Sequence, residues 1–78
     1  MRKGVILWEI RKKIQIKVRL RAKQLRLESN KTQDEIAKYL DVDKSTYSKY
    51  ENGKRKFNND VVKLLADYYN IKVSDIVD

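Results

Sequence analysis

Cysteine, histidine and proline are all missing from this 78-residue sequence, and glycine occurs only twice. Without Cys there is no disulfide framework and no thiolate metal site. Without His the commonest metal ligand and the commonest general base are gone together. No Gly-rich phosphate loop is present either, so an enzyme is the least expected reading, with no catalytic residue, metal or cofactor and no small-molecule substrate. The absence of Pro and the scarcity of Gly favour helix and argue against a disordered linker. Long apolar runs are lacking as well. The longest is Val5-Ile6-Leu7-Trp8, against the roughly 20 residues that a membrane span needs. It is also shorter than the apolar region of a signal peptide, about 7–15 residues. The expectation is one small cytoplasmic domain that touches no membrane.

What the sequence has is positive charge, unevenly spread. Lys and Arg number 19 against 11 Asp and Glu, a formal net of +8. Residues 1–31 carry eleven basic and two acidic residues, whereas residues 57–78 carry two and four. A strongly basic end and a mildly acidic end suggest that one surface meets a polyanion and another meets something else.

Residues 5–22 can be read two ways. Ile14, Ile16, Val18, Leu20 and Ala22 alternate with polar residues as in a strand, while Val18, Ala22 and Leu25 fall at helical spacing. Strong helix formers favour a helix from Val18 to about Leu27, closed by Asn30. Residues 1–17 are expected to be a basic and apolar arm of unspecified structure, and 18–78 the domain.

The next boundaries are clearer. Thr32-Gln33-Asp34-Glu35 has the form of a capping box, in which Thr32 accepts from the Glu35 N–H and the Glu35 carboxylate reaches back to the Thr32 N–H. Ile36, Ala37 and Leu40 then make an inward stripe. Asp41-Val42-Asp43 forms a three-residue turn, and Asp43 caps a helix from Lys44 to about Glu51 that Asn52-Gly53 stops. Asn58 starts a further helix, whose apolar face is drawn from Val61, Val62, Leu64, Leu65 and Tyr68 and which ends at Asn70. A last apolar turn holds Ile71, Val73, Ile76 and Val77.

Two short helices joined by a three-residue turn are a helix-turn-helix unit. Ala37 is small where two helices must cross closely, Val42 is buried in the turn, and Tyr47 and Tyr50 lie on the inward side of the second helix. That leaves Lys44, Ser45, Ser48 and Lys49 on its outer side. B-DNA's major groove, roughly 12 Å wide, admits one helix; Lys donates to guanine O6 and N7, and short Ser side chains permit close approach. The tyrosines could instead stack on single-stranded bases, the reading of an RNA-binding module, but their helical spacing places them in the core. Asp41, Asp43 and Ser45 have the spacing of a calcium loop's first ligands. Thr46 stands where that loop needs Gly and Asn52 where it needs Glu, which excludes it.

The stretch "TQDEIAKYLDVDKSTYSKYENGKRK", with Leu25-Arg26 before it and "LADYYNIKVSDI" after it, resembles the Cro and phage-repressor type helix-turn-helix proteins, the XRE family. The resemblance covers roughly residues 18–77 and is specific, because "YENGK" begins thirteen residues after "EIA". It implies an all-α, five-helix domain, here with a basic N-terminal arm, whose third helix lies in the major groove of double-stranded DNA. By position, Lys44, Ser45, Ser48 and Lys49 would meet bases. Gln33 would hold the DNA backbone and brace the base contacts, and Asn52, Lys54, Arg55 and Lys56 would contact phosphate. Arg26 and Glu51 match an ion pair between the first and third helices. The pattern departs from the family at Asp41 for the usual turn Gly, Lys31 for an apolar residue, Phe57 for a frequent Pro, and Tyr47 for Ile or Val.

These expectations describe a regulator, a repressor acting as a homodimer on a palindromic operator. Tyr69, Ile71, Val73, Ile76 and Val77 are the expected dimer contact. An antitoxin that grips a toxin through its apolar arm or tail is the alternative within DNA binding. Arg2, Lys3, Arg11, Lys12, Lys13 and Lys17 either solubilise the arm or follow the DNA backbone, and Trp8 and its apolar neighbours suggest a protein partner.

Overall fold

A computed structural model describes residues 3–78 as five helices: α1 (Lys3–Glu28), α2 (Gln33–Leu40), α3 (Lys44–Glu51), α4 (Asn59–Tyr69) and α5 (Ser74–Val77). Every regular element among the described residues is helical, as expected. Arg2 of the expected arm lies outside them.

The first helix differs from its expectation. It runs unbroken for 26 residues, about 39 Å at 1.5 Å per residue, so residues 3–17 are its first half and not a separate arm. No Pro or mid-helix Gly interrupts it. Its second half explains why the helical reading of Val18, Ala22 and Leu25 prevails over the strand reading: all three are buried against α2–α5, and burying each is worth far more than local propensity. The first half stands clear of the core, with Ile6, Leu7, Trp8, Ile10, Ile14 and Ile16 exposed.

Helices α2 to α4 start where expected. Thr32, Asp43 and Asn58 are extended N-caps whose side chains accept from the N–H groups of Glu35, Thr46 and Val61 at 3.1, 2.7 and 2.9 Å. The Thr32 box closes differently from the expected form: the Thr32 hydroxyl lies 3.4 Å from the Glu35 carboxylate and donates to it. Three helices end alike, on Asn30, Asp41 and Asn70, each in the left-handed region at φ 54–59°. In each the next residue's N–H bonds five residues back, as in Val42 to the Ala37 carbonyl at 3.0 Å. Asp41 adopts the conformation of the Gly it replaces, because Asp tolerates that region better than most residues.

The core gathers Ile36, Ala37 and Leu40 of α2, Tyr47 and Tyr50 of α3, Val62, Leu65 and Ala66 of α4, and Ile76 of α5. Phe57, in the Pro position, is buried and packs on Tyr50 with ring centroids 5.2 Å apart. Leu64, counted in the α4 apolar face, is exposed. Ile76 is only 2% exposed. It fills the core beneath α1 and α5, so it is corrected from a dimer contact to a core residue.

Candidate nucleic-acid interface

An eight-residue helix is too short to hold its shape alone in water, so the orientation of α3 depends on its inward side. Tyr47 is fully buried and Tyr50 nearly so. The third inward group is charged. The Glu51 side chain is 2% exposed, a costly position unless every oxygen is partnered. Arg26 of α1 donates to it twice, Nε to Oε2 at 2.8 Å and Nη2 to Oε1 at 3.0 Å. Its remaining Nη1 donates to the Lys31 carbonyl at 3.1 Å. Gln33, at the first position of α2, donates Nε2 to Glu51 Oε1 at 3.1 Å. One carboxylate therefore ties α1, α2 and α3 together, and the expected Arg26–Glu51 pair is a forked, nearly dry contact of the strong kind. Burial acts to raise the Glu51 pKa, but the hydrogen bonds outweigh it and hold the carboxyl below its usual range. The same bond holds the Arg26 pKa above its usual value, against desolvation.

Two hydroxyls near this junction have no partner. Those of Tyr47 and Tyr69 are buried without a hydrogen bond. Burial pushes both upward in pKa, Tyr69 to about 12, and the nearby Glu51 carboxylate adds to the rise in each case.

The outer side of α3 is the opposite in character. Lys44, Ser45 and Lys49 are exposed and Ser48 is half-buried. Ser45 donates to the Asp43 cap at 2.9 Å, and Ser48 accepts from the Asn52 amide at 3.2 Å. These local bonds aim both hydroxyls while leaving oxygen lone pairs outward. Asp43 is held below the usual carboxylate range, first by the Thr46 cap bonds and then by Ser45. Ion pairs among the described residues join Arg26–Glu51, Lys31–Glu35 and Lys38–Asp34; none of them engages Lys44 or Lys49.

Past α3 the chain turns tightly. Asn52 is the C-cap, and Gly53 takes φ 78°. The N–H groups of Lys54 and Arg55 both bond the Lys49 carbonyl, at 2.9 and 3.1 Å. This leaves the side chains of Asn52, Lys54, Arg55 and Lys56 exposed in succession beside the outer face of α3. Gln33, expected to hold the DNA backbone, is half-buried with its amide committed to Glu51. It braces α3 from within.

Sequence reasoning missed two residues that fix this turn. Gln15 of α1 grips Phe57 at both backbone groups: its Nε2 donates to the Phe57 carbonyl and its Oε1 accepts from the Phe57 N–H, each at 2.9 Å. Arg19, one turn along, lies in the space that a Cβ on Gly53 would occupy. The only sequence signal for either is helical phase. Gln15 and Arg19 share a side of α1 with Arg26, and nothing local shows that the 52–57 turn comes to rest there.

A polar helix set outward, a partner helix across a three-residue turn and a basic segment beside both make up a helix-turn-helix DNA-binding domain. A helix-turn-helix family model, of the Cro/C1 type, matches residues 23–76. The chain belongs to that family, the XRE family of DNA-binding helix-turn-helix regulators. No curated protein and no solved structure matches it. No helix among the described residues is long and apolar enough to cross a membrane.

Proposed function

We propose that the protein is a sequence-specific transcriptional repressor in the cytoplasm that binds a palindromic operator in double-stranded DNA as a homodimer. The observation that carries this reading is the outer face of α3. It is short-chained and basic, free of the ion pairs described above, and held from behind by the Arg26–Glu51–Gln33 junction. Lys44, Ser45, Ser48 and Lys49 read base edges in the major groove. Asn52, Lys54, Arg55 and Lys56 lie along the phosphates and fix the register. Repression then follows from occupancy of a promoter.

The dimer contact is assigned to Tyr69, Ile71, Val73 and Val77. Val73 is exposed and the other three are half-buried at the end with net negative charge. That end would be repelled by phosphate. A two-fold contact made there uses one patch twice and sets two α3 helices about 34–36 Å apart, one turn of DNA.

Selection from a random duplex library, followed by sequencing, tests the reading. The expected result is a palindrome with half-sites about 10 base pairs apart. Duplex DNA should outcompete structured RNA, whose narrow major groove excludes a helix. Recovery of no common sequence, or preference for RNA, overturns it. Val73→Asp should abolish the advantage of a full site over a half site.

The exposed Leu7, Ile10 and Ile14 support a second reading, in which the DNA binder is also an antitoxin. Their spacing continues the side of α1 that Val18 and Leu25 bury. Co-purification of a second small protein, lost on Ile10→Asp, would establish it; a pure homodimer would refute it.

A further inference from the structure

The geometry points to a second phosphate-binding surface, the groove between the first half of α1 and the segment after α3, which takes the DNA backbone flanking each half-site. This inference rests on the DNA-binding reading and extends it to residues outside the matched family segment, which begins at residue 23.

Trp8, Lys12, Gln15 and Arg19 recur at steps of four, three and four residues, so they share one side of α1. That side is fastened to the 52–57 segment at two points, by Gln15 on Phe57 and by Arg19 against Gly53. Beyond the Gln15 contact the helix continues to Trp8, about 10 Å further at 1.5 Å per residue. Helix and turn enclose an open groove of about 670 Å³.

Five cations line the groove: Arg11, Lys12 and Arg19 from α1, Arg55 and Lys56 from the turn. No carboxylate lines it. The floor is apolar, formed by Ile16, Tyr50 and Phe57. Two of the cations are aimed by aromatic rings, Lys12 over Trp8 at 5.2 Å and Arg55 over Tyr50 at 5.7 Å. Like charges held together over an apolar floor repel one another until an anion enters, and the low-dielectric floor strengthens its attraction. The wall formed by Arg55 and Lys56 follows directly on Lys54 and α3. An anion that runs past α3 therefore enters this groove next, and a phosphodiester strand is such an anion. The groove is then an extension of the DNA footprint, fixed in direction because α1 is one continuous helix.

The test uses the full chain and the duplex recovered by selection, either trimmed to the site or carrying ten further base pairs on each side. Wild type and Arg11→Ala/Lys12→Ala are compared, with Lys63→Ala/Lys72→Ala as a charge-matched control on the far elements. Both α1 side chains are exposed, and a thermal melt confirms that the variant folds. Wild type should bind the long duplex more tightly than the trimmed one. Two fewer phosphate contacts flatten the salt slope by about 1.8, so between 50 and 200 mM salt the α1 variant should lose about tenfold less affinity than wild type on the long duplex. It should lose the length advantage and keep the wild-type ranking of base substitutions within the site. The control should behave as wild type once its lost net charge is matched. If the α1 variant keeps the length advantage, the groove does not hold phosphate and the proposal is overturned in favour of an acidic protein ligand. If wild type selects no duplex at all, the DNA reading falls and takes this inference with it; that outcome needs no variant and is distinguishable from the first.

Discussion

The Gln15 side-chain amide pairs with both backbone groups of Phe57, 42 residues away in the chain, at 2.9 Å in each direction. It does for the turn after α3 what a neighbouring strand does in a sheet, satisfying one donor and one acceptor at once. Phe57 is the residue that returns the chain to the core, so the position of the whole 52–57 segment follows from this pair and from the buried Phe57 ring. Gln15→Ala should strand two partly buried backbone groups and cost about 1–3 kcal/mol. Urea unfolding reads the loss, and hydrogen exchange at the Phe57 amide should accelerate beyond that of neighbouring core amides. Exchange at wild-type rate would show that the bonds do not protect the turn.

Glu51 and Arg26 make stability depend on pH in a definite direction. The Glu51 carboxyl sits below its usual value of 4.5, so its contribution is fully present above that value. It is lost as pH falls through the lower folded pKa. Glu51→Gln should therefore be much less stable than wild type at pH 7, and the gap should narrow toward pH 3. Glu51→Ala should cost about 3–5 kcal/mol at neutral pH, since it leaves the Arg26 guanidinium nearly buried and unpaired. A double-mutant cycle with Arg26→Ala should give a coupling well above 1 kcal/mol. Zero coupling would refute the pair.

Lys49 and Lys54 should fail in different ways. Lys49→Ala on the outer face of α3 should lose discrimination at one base of each half-site, about 1–3 kcal/mol against the wrong base. Lys54→Ala should weaken binding to all sequences alike and reduce the salt slope by about one. Lys49→Ala binding its site variants in the wild-type order would remove Lys49 from the reading face.

Tyr47 carries a hydroxyl into the core without a hydrogen bond. Tyr47→Phe keeps the ring and removes the desolvated group, so it should stabilise the fold by about 1 kcal/mol and leave DNA affinity unchanged. Chemical denaturation decides it. A loss of stability would mean that the hydroxyl reaches Glu51 in solution and belongs to the junction.

Much of the architecture was legible because it rests on local chemistry. Thr32, Asp43 and Asn58 cap the N–H groups of the next turn, and Asn30, Asp41 and Asn70 visit the left-handed region, wherever the chain later folds. The same locality put Tyr47 and Tyr50 inward on α3 and its lysines and serines outward. The Arg26–Glu51 pair was legible for another reason, the resemblance to a known family.

The sequence by itself determined the number of helices, where α2 to α4 start, and which side of α3 is free to meet DNA. Only the tertiary structure decided the rest. Whether residues 3–17 were arm or helix could not be settled from an alternating apolar pattern. The buried half of α1 nucleates the helix that the exposed half continues, since each added residue extends an existing helix at little cost. Ile71, Val73, Ile76 and Val77 look alike in sequence, yet Ile76 alone of the four is fully buried. The packing of α5 on α1 selects it, a contact between residues more than 50 positions apart. Gln15 meets Phe57, and Arg19 meets Gly53, for the same reason: a helix fixes the direction of its side chains locally, but what stands in that direction is set by the other helices.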